Sequence, residues 1–302
     1  MKIIKSEKVT WIDIMPPQKE DVEYLKENFL FHPFILKSVV PPIRHPRFEN
    51  YGSYLFLVFH YPFYDKEKKE TSPRELDILV TRDTIITIHY QTILPLHAFF
   101  VKLSLYEKQR QEFTDEGVGE LLYRLLNEIV RSILPKLDRI DEKIEKIEEN
   151  IFKGRQKETI AKISALKHDL IDFQRIIQPQ ARVFEGLKRA SEEFFGRHFY
   201  PYFDELYNFF VTIKEILETH HQTLNELEET NSNLLSIRTN EIIKILTIFT
   251  VILAPLTLVA SVFGMNVWLP LKENPNAFWF ILSLMGILLA LMIIYIKQKK
   301  WL

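Results

Sequence analysis

Two apolar segments near the C-terminal end constrain this sequence more than any other feature. Residues 242–263 form a stretch of about 22 and residues 278–296 one of about 19, and a helix needs roughly 20 apolar residues to cross the hydrocarbon core of a bilayer. The stretch between them, 267–277, is too short for anything but a turn at the far surface. The sequence therefore reads as a large water-soluble region ending in a two-helix transmembrane hairpin. Lys297, Lys299 and Lys300 follow the second segment, whereas the intervening loop carries Lys272 beside Glu273. Basic residues stay on the cytoplasmic side, so both termini are expected inside a cell (inner) membrane, with the loop outside.

Composition removes several alternatives. A chain of 302 residues with a net charge of −1 carries no field that would draw nucleic acid. It has no cysteine, which excludes disulfides, thiolate metal sites and cysteine nucleophiles. The N-terminal residues lack the apolar core of a signal peptide.

The first 112 residues mix short strands and helices. Residues 54–59 read as a buried strand followed by a turn at 65–69. Residues 76–81 and 84–89 read as two strands joined at Arg82 and Asp83, and 19–29 as a helix. Pro41, Pro42 and Pro46 separate elements. From about Glu116 the period changes. Leu122, Leu126, Ile129, Ile133, Leu137, Ile140, Ile144, Ile147 and Ile151 recur at helical spacing, which predicts one very long helix, kinked at Pro135. The charged run 142–149 is its solvated face. A second helix carries Ile163, Leu166, Leu170, Phe173 and Ile177 and is interrupted near Pro179. A third begins near Tyr202 and meets no stop signal before Gly264, a rod of roughly 90 Å running from the stalk into the membrane. The expected divisions are a 1–112 α/β region, 113–201 long helices, a 202–241 stalk, a 242–266 first span, a 267–277 external loop, a 278–296 second span and a 297–302 basic tail.

One face of the third helix carries Glu229, Ser232, Ser236, Asn240, Ile243, Thr247, Thr250, Ala254, Thr257 and Ser261, nearly all of them polar or small. Polar groups in hydrocarbon must face protein or water. Either these residues allow close helix packing, or they line a water-filled pore. A single hairpin cannot enclose a pore, so the second reading requires a homo-oligomer about a central axis. The face holds no charge between Asn240 and Ser261. Neutral oxygens suit an ion that keeps its water shell, and Mg2+ dehydrates reluctantly.

The tripeptide Gly264-Met265-Asn266 at the outer end of the first span resembles the signature of the CorA family of divalent-cation transporters. The preceding Leu253-Ala254-Pro255-Leu256-Thr257-Leu258 is similar as well, and so is the full-length layout. The resemblance implies an α+β cytoplasmic domain with long α-helices plus the transmembrane hairpin, assembled as a homopentameric channel. It implies passive influx of Mg2+, and also Co2+ or Ni2+, gated by intracellular Mg2+, with no organic cofactor, no enzymatic activity and no nucleic-acid partner. By the same resemblance Asn266 rings the outer mouth, Gly264 supplies the turn there, Asn240 forms a lower amide ring, and Glu229 an inner acidic ring. Glu205, with Asp204, stands where a regulatory Mg2+ would bind. Many members place a Glu soon after the motif; here Glu273 takes that place, beside Lys272. A ZntB-like zinc transporter shares the motif, and a membrane-tethered scaffold or sensor is the third reading. His220 and His221 are adjacent on a helix, about 100° apart, and so are read as surface residues and a poor chelating pair.

Overall fold

A computed structural model of the chain describes residues 1–40, 42, 45–65, 67, 70–265 and 275–299. Pro41, Asn266, Glu273 and three residues of the expected 65–69 turn (Lys66, Lys68, Lys69) lie outside them. By its internal contacts the chain divides into one unit, Met1–Glu228, and a second, Glu229–Leu302.

The first unit is built on a six-stranded sheet: β1 (Lys2–Lys5), β2 (Thr10–Ile14), β3 (Arg47–Asn50), β4 (Leu55–Asp65), β5 (Glu70–Val80) and β6 (Thr84–His89), in the order β1-β2-β6-β5-β4-β3. β2 runs parallel to β6, and every other neighbouring pair is antiparallel. A parallel pair needs a long crossover, and between β2 and β6 it contains α1 (Lys19–Asn28) and α2 (Pro33–Ser38). These helices bury Leu25, Ile35 and Leu36 against Ile12, Ile14, Val58, Leu79 and Ile88 of the sheet. Every residue of β6 and the first eight of β4 are buried, the signature of strands covered on both faces.

The helices that follow are α3 (Leu94–Leu105), α4 (Glu107–Thr114), α5 (Val118–Arg131), α6 (Leu134–Phe152), α7 (Gln156–Ile177) and α8 (Ala181–Phe195). α7 packs on β5 and β4, and α8 on β3. Gln180, in the short 3-10 turn between α7 and α8, is fully buried. Its Oε1 accepts from the His60 N–H (2.9 Å) and its Nε2 donates to the His60 carbonyl (2.7 Å), which fixes that turn to β4.

The expected single helix from Glu116 is two helices. Pro135 has no N–H, and its ring collides with the carbonyl four residues back. That residue is Arg131, where α5 ends, and Pro135 then occupies the first turn of α6, a position it tolerates. The apolar stripe survives the break: all nine of its residues, from Leu122 to Ile151, are buried. Strands β1, β2 and β3 carried too little alternation to be read from the sequence, and β4 and β5 run further into their hairpin than expected.

α9 (Tyr200–Phe263) continues through the boundary between the units, and α10 (Ala277–Gln298) follows. Pro201 lies in its first turn, just after the break at Gly196, whose φ of 112° requires glycine. Both α9 and α10 contain segments long and apolar enough to cross a membrane, and neither apolar window is buried within the chain.

Candidate functional site

The polar face of α9 within the second unit is exposed at each of its positions from Glu229 through Asn240 to Ser261. Its hydroxyls share one arrangement. Thr247 Oγ1 donates to the Ile243 carbonyl (2.8 Å), Thr250 to Leu246 (2.9 Å) and Thr257 to Leu253 (2.8 Å). Each proton is spent on the helix's own backbone, a common device for β-hydroxyl residues in helices. What each oxygen then presents outward is lone pairs alone. These three hydroxyls are therefore neutral acceptors, able to hold the protons of water coordinated to a cation. Thr250, Ala254, Thr257 and Ser261, edged by Leu253 and Leu258, form an open groove along it.

At the upper end of α9 the Gly264 N–H donates to the Ala260 carbonyl (2.9 Å) and the Met265 N–H to Val262 (3.3 Å). Gly264 stands in a hydrogen-bonded turn without a left-handed φ, and a Cβ there would sit 3.1 Å from the Ala260 oxygen. Met265 is exposed. Asn266 and Glu273 lie outside the described residues.

The two carboxylates expected at a regulatory site reach different cations. Asp204 pairs with Lys188 of α8 (2.5 Å) and accepts from Asn208 (3.3 Å). Glu205 lies 3.8 Å from Arg131 of α5 and accepts from the Tyr123 hydroxyl (3.4 Å). Burial and the Glu205 charge both push the Tyr123 hydroxyl pKa up. No group of three or more His, Asp or Glu among the described residues is arranged to hold a metal ion.

His220 is not the surface residue the sequence suggested. Its ring is largely covered and stands 3.5 Å from Asp141; burial lowers its pKa, and Asp141 and Asp138 oppose that. His221 turns instead to Asn225 (3.3 Å), so the two histidines do not converge.

Two charged residues of the first unit were not picked out from the sequence. Asp77 interrupts the apolar run Leu76 to Val80 and is fully buried, a signal that was visible. Lys136 lies among unremarkable charges of α6, and only the fold shows that its amine is largely withdrawn from water.

Comparison with known proteins covers nearly the whole chain. Residues 6–298 match the family model "CorA-like Mg2+ transporter protein". The cobalt/magnesium transport protein CorA of Thermotoga maritima is 27% identical over 299 residues, spanning 97% of this chain and 83% of that protein. The complete structure of the CorA magnesium transporter from Methanocaldococcus jannaschii superposes with a TM-score of 0.84 at 25% identity, covering 100% of this chain and 95% of the other. The ZntB cytoplasmic domain from Vibrio parahaemolyticus shares the fold of 76% of this chain and covers 89% of its own, with a TM-score of 0.64 at 14% identity.

Proposed function

The chain belongs to the CorA-like Mg2+ transporter family, and we propose that it assembles as a homopentamer whose first spans line a pore for hydrated Mg2+, and also Co2+ or Ni2+. The observation that carries this reading is the set of acceptor hydroxyls on one face of α9, with Thr247, Thr250 and Thr257 all bonded back to their own helix. Five copies of that face around an axis give rings of neutral oxygens. Such rings bind a hydrated cation weakly enough to release it, which conduction requires. No protein ligand has to replace the inner water shell of Mg2+. Transport needs no chemical step: a divalent ion moving down a membrane potential of 100 mV gains about 4.6 kcal/mol, twice the value for a single charge.

In this reading Gly264, Met265 and Asn266 form the outer mouth, with Glu273 gathering cations outside it. Thr257 provides a hydroxyl ring, Asn240 an amide ring below, and Glu229 an inner acidic ring that raises the local cation concentration. Both termini face the cytoplasm, as the lysines after α10 support. Glu205 and Asp204 hold a regulatory Mg2+ between neighbouring subunits. In one chain each carboxylate already has a cationic partner, so metal binding there exchanges Arg131 or Lys188 for Mg2+.

The test is flux into liposomes containing the purified protein, with Mg2+, Co2+, Ni2+ or Zn2+ outside and with or without a pH gradient. Potential-driven Mg2+ entry that is lost in Asn266→Ala is the expected result. Zn2+ entry that requires the pH gradient, with no Mg2+ entry, would replace this reading with a zinc transporter.

A further inference from the structure

In the first unit, α6 and α7 enclose a half-open cavity of about 350 Å3 together with Tyr64 of β4. Its two helical walls are matching stripes. Lys143, Lys146, Ile147 and Asn150 of α6 stand at i, i+3, i+4 and i+7. Lys162, Ala165, Leu166 and Asp169 of α7 repeat that spacing, so each helix offers one continuous face. Ile147 and Leu166 are buried and give the cavity an apolar floor. Its volume falls within the roughly 300–1,000 Å3 of small-molecule sites.

The two ends of the cavity differ in charge. At one end Asp169, its side chain only 6% exposed, accepts from the Thr71 hydroxyl through Oδ1 (2.6 Å) and pairs with Lys143 through Oδ2 (3.7 Å). The same ammonium stands 5.0 Å from the centre of the Tyr64 ring. The charges of that end are therefore matched within the protein. Lys162 precedes Asp169 by seven residues, about 10 Å along α7 and out of reach of an ion pair with it. Among the described residues Lys162 pairs with no carboxylate. Lys146 reaches Glu142 at 3.9 Å, both side chains exposed, and such a pair is weak enough to exchange for another anion. Asn150 donates one N–H to the Lys146 carbonyl (2.5 Å), and its amide carries a second. An apolar floor between a neutralised end and a cationic end matches a molecule with an apolar body and one anionic head.

We propose that this cavity binds a small amphipathic carboxylate, its apolar body on Ile147, Leu166 and the Tyr64 ring and its head held by Lys162 and Lys146. Ammonium groups hold carboxylate oxygens through charge-assisted hydrogen bonds. The body removes the exposed rim of an apolar floor from water. Neither part suffices alone: a bare anion leaves the floor wet, and a neutral molecule of the same shape leaves Lys162 without a partner. The site is separate from the polar face of α9 and makes no claim on transport.

The experiment uses the full chain in nanodiscs of a zwitterionic lipid, with empty nanodiscs subtracted. The probes are 6-fluoro-2-naphthoate and its neutral amide, 6-fluoro-2-naphthamide, and binding is read by 19F line broadening. Saturable binding of the carboxylate is expected, with the amide bound about tenfold more weakly, since a hydrogen bond to a charged group contributes on that scale. Lys162→Gln should weaken the carboxylate by a similar factor and bring the two probes level. Ala165→Trp, which fills the cavity from its own wall, should abolish the binding of both. Lys162 and Ala165 are exposed on α7, so both variants keep the fold. Absence of saturable binding, equal binding of the two probes to the unaltered chain, or undiminished binding in either variant would overturn the site and leave the transport reading untouched.

Discussion

Replacing Asp77 with Val should make the protein more stable, although it removes a charge from the middle of a sheet. Asp77 has no exposed surface and pairs across the sheet with Val58 on one side and Ile88 on the other. Both of those belong to the core under α1 and α2, so the carboxyl shares their apolar face. Neither of its oxygens has a hydrogen-bond partner among the described residues. Burial holds its pKa well above the usual carboxylate range; Glu75 raises it further and Arg47 opposes. An unsatisfied buried polar group costs about 1–3 kcal/mol, and Val, β-branched and nearly the same size, suits a strand. A gain of about 1–3 kcal/mol corresponds to a Tm rise of about 2–12 °C for a unit of this size. The sign with pH follows from linkage. A carboxyl whose folded pKa is raised binds its proton more tightly in the native state, so stability falls as pH climbs from the unfolded value, about 3.9, toward the folded one. The gain from Val should therefore be larger at pH 8 than at pH 4.5. Thermal melts of the full chain in detergent at the two pH values measure it. A lower Tm at both, or the same gain at both, would refute the argument.

Lys136 makes the complementary prediction. Its folded pKa, about 7, lies below the unfolded value of about 10.4, so stability should rise with pH across that window. Lys136→Met should abolish the rise in a pH series of melts. In this cysteine-free chain, single cysteines at 240, 247, 250 and 257 should react with polar thiol reagents far faster than cysteines at 248 or 256; equal rates would show that the polar face does not meet water. Glu205→Ala should cost at most about 1 kcal/mol, because its pair with Arg131 is solvent-exposed. The same variant should weaken the protection that about 10 mM Mg2+, above the weak millimolar affinities of oxygen-ligand sites, gives against limited proteolysis; unaltered protection would remove Glu205 from the regulatory site.

The hairpin, the uninterrupted α9 and the apolar stripe of α5 and α6 were legible because each rests on a period repeated over many residues. β2 was not legible, since Thr10–Ile14 is buried almost throughout and shows no alternation. Its place is fixed by pairing with β6, residues more than seventy positions away, which no local pattern encodes. The hydroxyls of Thr247, Thr250 and Thr257 were read correctly as a polar face, but the direction of their protons became visible only in the folded helix. The split at Pro135 was half legible: the residue was noticed, and the collision with Arg131 that turns a kink into a break was not. Asp204 and Glu205 were picked out by resemblance alone, while the partners they reach, Lys188 and Arg131, come from other helices and carry no mark in the sequence.

The order of elements along the chain also sets a timetable. β6, the last strand of the sheet, ends at His89, and α7 and α8, which pack on β3, β4 and β5, are complete at Phe195. The first apolar span begins some 47 residues after α8 is complete. At about 5–20 residues per second, synthesis of that interval takes roughly 2–9 s, whereas mixed domains of modest size fold in milliseconds to seconds. The apolar strands β4 and β6 are thus enclosed before the ribosome makes α10 or the apolar end of α9. Two sets of apolar residues of similar chemistry, one destined for a protein core and the other for lipid, are kept from mispairing by the clock.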